Sequence, residues 1–221
     1  MSESQEAFRQ KRYQPPSGAT EILLVRHGES APAKRGESFA LKDGHGDPEL
    51  HPNGHAQAFQ VALRLAHEPL AALYVSSLQR TAQTAAPTSR LLQMEPRVEP
   101  DLREIFLGDW EGGLLRVMAS ENHPLYQRMH EEQEWGIVPG AETNAIFTSR
   151  VTAALTRIAA CHPDEKVAAF VHGGVIGCIL AHASGSQAFA FNGCNNGAIS
   201  HIVLTGGRIV VRGFNDSSHL S

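Results

Sequence analysis

Uninterrupted apolar runs occur at Ile22-Leu23-Leu24-Val25 and at Val167-Ala168-Ala169-Phe170-Val171. Both have strand length, and their continuity, rather than alternation, is the pattern of strands covered on both faces. Between them the period changes. Ala58, Val61, Ala62 and Leu65 recur at three- and four-residue steps and predict an amphipathic helix over 54–66, started by Pro52-Asn53. Leu70 to Val75 is a further short apolar run, after which Ser76-Ser77 offers N-cap hydroxyls for a helix through Leu91. Residues 96–102 fit a short strand, 108–113 a turn, and 114–138 an irregular helix over one sheet edge. Ile146, Val151, Leu155 and Ile158 restore helical spacing, and Val175 to Ala183 predicts another helix. Ile199–Leu204 and Arg208–Phe214, joined by Thr205-Gly206-Gly207, predict a closing hairpin. Residues 30–53, rich in Gly, Pro, Lys and Asp, show no period and predict a long loop. Strands and helices in alternation indicate an α/β fold.

With 221 residues, 42% apolar and 19% charged, the chain suits one globular domain over 19–221 with a small insertion near 112–141. Residues 1–18 are polar, without the apolar core of a signal peptide or membrane span, and predict a flexible tail. A net charge of −4 leaves no electrostatic footprint for nucleic acid or an anionic membrane. The three cysteines, Cys161, Cys178 and Cys194, are odd in number and lack CxxC spacing, which fits a reduced, cytoplasmic protein.

Each of the two apolar runs is followed by a histidine and a glycine, His27-Gly28 and His172-Gly173, with Arg26 completing the first. Ligands of open α/β sheets gather at the carboxyl ends of strands, so two imidazoles delivered there converge on one ligand. Arg80, in the first turn of its helix, opposes the helix dipole unless an anion compensates it. That ligand is therefore expected to be anionic. A neutral imidazole attacks a phosphoryl group well when its other nitrogen is hydrogen-bonded, so one of the two histidines suits that role. The other, protonated, would join Arg26 and Arg80 in neutralising charge on the phosphoryl oxygens. A carboxylic acid is needed to protonate an alkoxide. Glu104 borders an apolar stretch, where burial and a phosphate dianion would keep it protonated, yet by spacing alone Asp101, Asp109 and Glu111 compete with it. Gly173-Gly174-Val175-Ile176-Gly177 lacks both the first glycine and the later acid of a dinucleotide site; its glycines are read instead as permitting close approach to phosphate. No HExxH, Walker A or GxSxG sequence occurs, and Pro52-Asn53-Gly54 separates His51 from His55, which argues against an obligatory metal.

From Glu21 to Leu220 the chain resembles the histidine phosphatase superfamily, also called phosphoglycerate mutase-like. The resemblance rests on Arg26-His27-Gly28-Glu29-Ser30, on Arg80 at its helix start, on Glu104 ahead of Gly108-Asp109-Trp110-Glu111-Gly112, and on His172-Gly173-Gly174. Residues 139–143 and 215–220 are similar to minor family motifs. It implies a three-layer α/β/α fold with a mixed, mostly parallel sheet, His27 as the phosphorylated residue, Glu104 as general acid and base, and His172 beside it. Arg26, Arg80, His172 and Gly173 would bind phosphate, with no cofactor and no metal. Family mutases continue the first motif into a Trp-Asn pair, whereas Ala31-Pro32-Ala33 stands here, which favours a phosphatase of small phosphate monoesters over a phosphoglycerate mutase. The family's auxiliary pocket asparagine has no clear counterpart. The loop 31–51 is expected to leave the pocket open to solvent, with Ser30, Lys34, Arg35, Lys42 and His45 as residues within reach of a substrate. A non-catalytic phosphate-binding module is disfavoured because Arg26, His27, Arg80, Glu104 and His172 are all present. The substrate's identity and the oligomeric state, a homodimer included, stay open.

Overall fold

The computed structural model describes residues 8–221. Its elements in chain order are β1 (Thr20–Arg26), β2 (Leu41–Lys42), β3 (His45–Gly46), α1 (Pro52–Leu65), β4 (Leu70–Val75), α2 (Gln79–Leu92), β5 (Arg97–Val98), α3 (Leu114–Ser120), α4 (Pro124–Glu132), α5 (Asn144–Cys161), β6 (Lys166–Val171), α6 (Gly173–Ser184), β7 (Ile199–Thr205) and β8 (Arg208–Asp216). Six strands form one mixed sheet in the order β5-β4-β6-β1-β7-β8. The first four run parallel, and β7 is antiparallel to both of its neighbours.

Alternate residues of β1 face opposite layers. Leu23 and Val25 pack with Val61 and Leu65 of α1 and Ala85 of α2, whereas Ile22 and Leu24 pack with Val151, Leu155 and Ile158 of α5 and Val175 and Ile179 of α6. Burial on both faces is the reason for the unbroken apolar runs. The chain passes from β1 outward to β4 and β5 with its helices on one face, then returns through α5 to insert β6 between β4 and β1. That reversal places a ligand crevice at the carboxyl ends of β1 and β6.

Several local expectations differ from the structure. Neither Ser76 nor Ser77 caps α2; its N-cap is Leu78, and the first amide, Gln79 N, donates to Asp47 Oδ1 at 2.8 Å. The cap thus comes from the long loop. The strand expected over 96–102 shortens to β5, because Pro100 opens a single 3-10 turn. Ile146 is exposed, and Phe147 takes its place among the buried residues of α5. The irregular helix resolves into α3 and α4, which close over Trp110, Met129 and Val138. Within 31–51, β2 and β3 form a small hairpin around Asp43-Gly44, both at positive φ, the geometry that an Asp-Gly turn supplies.

The tail expected over 1–18 includes residues 1–7, which lie outside the described residues; within 8–18, Arg212 stacks 3.8 Å from the centre of the Tyr13 ring. Among the described residues, no helix is long and apolar enough to cross a membrane.

Candidate active site

Strand register brings the two histidines together. Arg26 of β1 pairs with Val171 of β6, so His27 and His172 leave adjacent strands at the same level. Their ring centroids lie 5.2 Å apart. Val75 of β4 pairs with Phe170, which sets Ser76 beside His172, and Ser76 Oγ meets His172 Nε2 at 2.8 Å. Gly28 is required here for space: a Cβ would stand 2.4 Å from the Gly54 carbonyl oxygen at the start of α1.

His27 is buried and its tautomer is set locally. Nδ1–H donates to the Gly28 carbonyl at 2.7 Å, which leaves the Nε2 lone pair free to receive Arg80 Nε–H at 3.3 Å. Burial, reinforced by Arg80 and then Arg26, holds the imidazole well below the usual histidine range. Nε2 is therefore a neutral nucleophile already facing a cation. His172 is also held well below that range, first by burial and then by Arg80 and His27.

Two buried donors point to where that anion belongs. Among the described residues, Arg26 Nε and His172 Nδ1 have no hydrogen-bond partner, although neighbouring atoms of both side chains are tied down: Arg26 Nη1 donates to the Cys194 carbonyl, and His172 Nε2 is engaged by Ser76. Buried polar atoms are rarely left unpaired in native proteins, so an absent ligand is the natural partner. Arg80 is buried as well; Nη1 donates to the Gly46 carbonyl at 2.9 Å, with Asp47 Oδ1 at 3.9 Å. Gly173 lies against the Arg26 guanidinium, with space for a Cβ no closer than 3.3 Å to Nε.

Among the four competing carboxylates the geometry discriminates. Glu104 reaches the start of α6, where Oε2 accepts from Gly174 N at 3.2 Å, and it lines the same cavity of about 280 Å³ as Arg26, His27 and Arg80. Glu111 borders that cavity but spends both oxygens on backbone amides, Leu107 N at 2.9 Å and Gly46 N at 2.6 Å. Asp101 pairs with Arg157, and Asp109 is exposed. Glu104 Oε1 likewise accepts from Ile105 N at 3.1 Å, so what sets it apart is position: it lines both the cavity and the space beside Gly174, against Arg26.

The loop departs from its expected role. Lys34 and Arg35 face solvent and pair with Glu37 and Glu121, so neither lines the cavity. Lys42 is exposed too, and Ser30 is buried, accepting from Arg116 Nη2 at 2.7 Å. The loop also contributes directly to the cavity. Phe39, His45, Gly46 and Pro48 form part of its wall, and Phe39 N, Gly46 N and Asp43 are fastened to the Gly112 carbonyl, Glu111 and Arg103. The Asp-Gly turn folds this stretch back across the site.

Arg116 is the cation that sequence reasoning missed. From α3 it lines the cavity and donates to Ser30 Oγ and, at 2.9 Å, to the Ala31 carbonyl. Nothing in Leu114–Ser120 marks it, since its position depends on how the 112–141 segment folds over the sheet. Asn196, which donates to the His27 carbonyl at 2.9 Å, is a second polar support absent from the sequence reading.

Taken together, a neutral imidazole nucleophile, three arginines and the Glu104 carboxylate around one cavity can receive a phosphoryl group and protonate what it leaves behind. The family model described as histidine phosphatase superfamily, branch 1, matches residues 22–217. Among curated relatives, a metal-independent phosphoserine phosphatase of Arabidopsis thaliana is 30% identical over 208 residues, covering 93% of this chain and 85% of the relative. Phosphoglycerate mutase-like protein 4 of the same plant is 30% identical over 203 residues, covering 90% and 86%. Among solved structures, phosphoglycerate mutase from Bacillus anthracis superposes with a TM-score of 0.76 at 20% identity, covering 92% of this chain and 96% of that one.

Proposed function

The chain belongs to the histidine phosphatase superfamily, and we propose on that premise that it is a metal-independent phosphatase acting on a small phosphate monoester through a phosphohistidine on His27. The observation that carries this reading is the pairing of a locked His27 tautomer with two buried, unpartnered donors, Arg26 Nε and His172 Nδ1, around the same space. The Nε2 lone pair attacks phosphorus as the ester oxygen departs, and Glu104 supplies the proton that oxygen takes. Arg26, Arg80, Arg116 and a His172 protonated on binding balance the charge of the three remaining oxygens. Water then attacks phosphorus, its proton returns to Glu104, the P–N bond breaks, and orthophosphate leaves. Three free thiols are compatible with a reduced, cytosolic setting.

A phosphoglycerate mutase is the second reading, because one relative carries a mutase-like name at the same identity as the phosphatase. The absence of a Trp-Asn pair after Ser30 favours hydrolysis. The decisive assay supplies a panel of phosphate monoesters in the presence of EDTA, and in parallel 3-phosphoglycerate with catalytic 2,3-bisphosphoglycerate. Orthophosphate release from at least one ester, with little or no 2-phosphoglycerate formed, is expected. Conversion to 2-phosphoglycerate faster than phosphate release would replace the phosphatase with the mutase.

A further inference from the structure

The phosphate cavity opens into a second chamber of about 460 Å³ that shares Arg26, Glu104, Leu115 and Arg116 with it. An ester whose phosphorus sits at His27 directs its alcohol portion past Glu104, the proposed proton donor, and so into this chamber.

Tyr126, His130 and Trp135 line the far wall of the chamber, and Phe189 packs against the last two. Tyr126 stacks on His130 at 4.5 Å between ring centroids, His130 meets Phe189 at 5.6 Å, and Phe189 meets Trp135 at 4.8 Å. Tyr126 and Trp135 are half-buried, which leaves ring surface uncovered. The wall is fixed rather than loose. Gln133, just past α4, accepts from Phe189 N at 3.0 Å and donates to Gln187 Oε1 at the same distance, stitching α4 to the segment that carries Phe189.

Charge is missing where an acidic substrate would need it. Among the described residues, no lysine lines the chamber, and the two arginines that do, Arg26 and Arg116, belong to the phosphate end. Arg116 donates one hydrogen from each terminal nitrogen to Ser30 and Ala31, Arg26 Nη1 donates to Cys194, and the N–H groups that remain on both are those assigned to the phosphate. Beyond those two arginines, a carboxylate on the leaving group would give up its hydration to face Tyr126, Met129 and Trp135, where His130 is the one other basic side chain among the described lining residues. An uncharged ring would instead bury apolar surface against them.

We propose that the substrate is a phosphate monoester of an uncharged alcohol bearing an aromatic or comparably bulky apolar group, and that the chamber walled by Tyr126, His130 and Trp135 selects it. The proposal rests on the phosphatase reading for the placement of phosphorus at His27. Its test uses binding as well as turnover, so that the two stand or fall separately.

Calorimetric titration of the full chain with 2-phenylethylphosphonate and with 3-phosphonopropanoate compares a ring with a carboxylate at similar reach. The phenylethyl compound should bind about tenfold more tightly, a ratio that ring burial readily supplies. Trp135→Ala should bring the ratio towards one. So should Ala119→Trp, which fills the chamber from α3 while keeping every core side chain. Equal or tighter binding of the carboxylate compound, or a ratio that survives both substitutions, would overturn the proposal. Loss of binding by both compounds would refute the phosphate site and the chamber with it. Release of orthophosphate from 2-phenylethyl phosphate is followed alongside. The expected binding preference without any such release would uphold the chamber and sink the hydrolase, whereas faster release from phosphoserine would do the reverse.

Discussion

His27 and His172 are both uncharged in the resting site, since burial and the arginines around them depress both imidazoles. Once unfolded, each titrates near about 6.5. The unfolded chain therefore takes up protons first as pH falls. The contribution of these two groups to stability is complete above that value and is lost below it, by up to about 1.4 kcal/mol per pH unit for each. Urea midpoints at pH 7.5 and 5.5 should separate further for the wild type than for the His27→Gln/His172→Gln double variant; parallel losses would contradict this. Glu104 is testable at the same scale through its leaving group. An alkoxide needs a proton and a nitrophenolate does not, so Glu104→Gln should cost about a hundredfold on an alkyl phosphate and far less on p-nitrophenyl phosphate. Equal losses would assign the proton elsewhere. The histidines were readable in the sequence because strand and motif coincide at His27 and His172. The acid was not readable from spacing, because Asp101, Asp109 and Glu111 differ from Glu104 only in which amides and cations occupy them. Arg116 left no trace at all, since an arginine in a short helix is ordinary until its neighbours in space are known.

At the scale of elements, two glycines separate stability from activity. A Cβ at Gly28 would run into the backbone carbonyl of Gly54, which cannot yield without moving α1 away from β1. Gly28→Ala should therefore cost about 2 kcal/mol of folding stability, read from urea unfolding. A Cβ at Gly174 would instead meet Glu104 Oε1 at 2.4 Å, the end of a movable side chain. Because alanine also suits a helix better than glycine, Gly174→Ala should fold at least as stably as the parent. It should nevertheless lose about a hundredfold in kcat/KM through the displaced carboxylate. A stable Gly28→Ala protein, or a fully active Gly174→Ala protein, would refute the respective assignment. The main strands and helices could be read from the sequence since their periods follow from burial, two-sided for β1 and β6 and one-sided for α1. The start of α2 was misread, because Ser76 and Ser77 look like caps while the cap is Asp47, 32 residues upstream of Gln79. The hairpin at β2 and β3 did carry a local signal, Asp43-Gly44, hidden by the lack of apolar alternation around it.

For the whole molecule, the order of elements identified the α/β class, and the sheet order β5-β4-β6-β1-β7-β8 required the structure. That order turns two distant motifs into one site: insertion of β6 beside β1, in a register that matches Arg26 with Val171, is what sets His27 against His172. The same architecture brings 39–48 and α3 to the crevice, where they form part of its wall. All of the proposed chemistry converges on His27 Nε2 as the phosphoryl acceptor. Its most direct test is rapid quenching of the enzyme during turnover of a 32P-labelled monoester, followed by mapping of the trapped label. An acid-labile, alkali-stable phosphoryl group on His27, absent from His27→Ala together with turnover, is the expected result. Label on His172, or full turnover by the His27→Ala protein, would contradict the account.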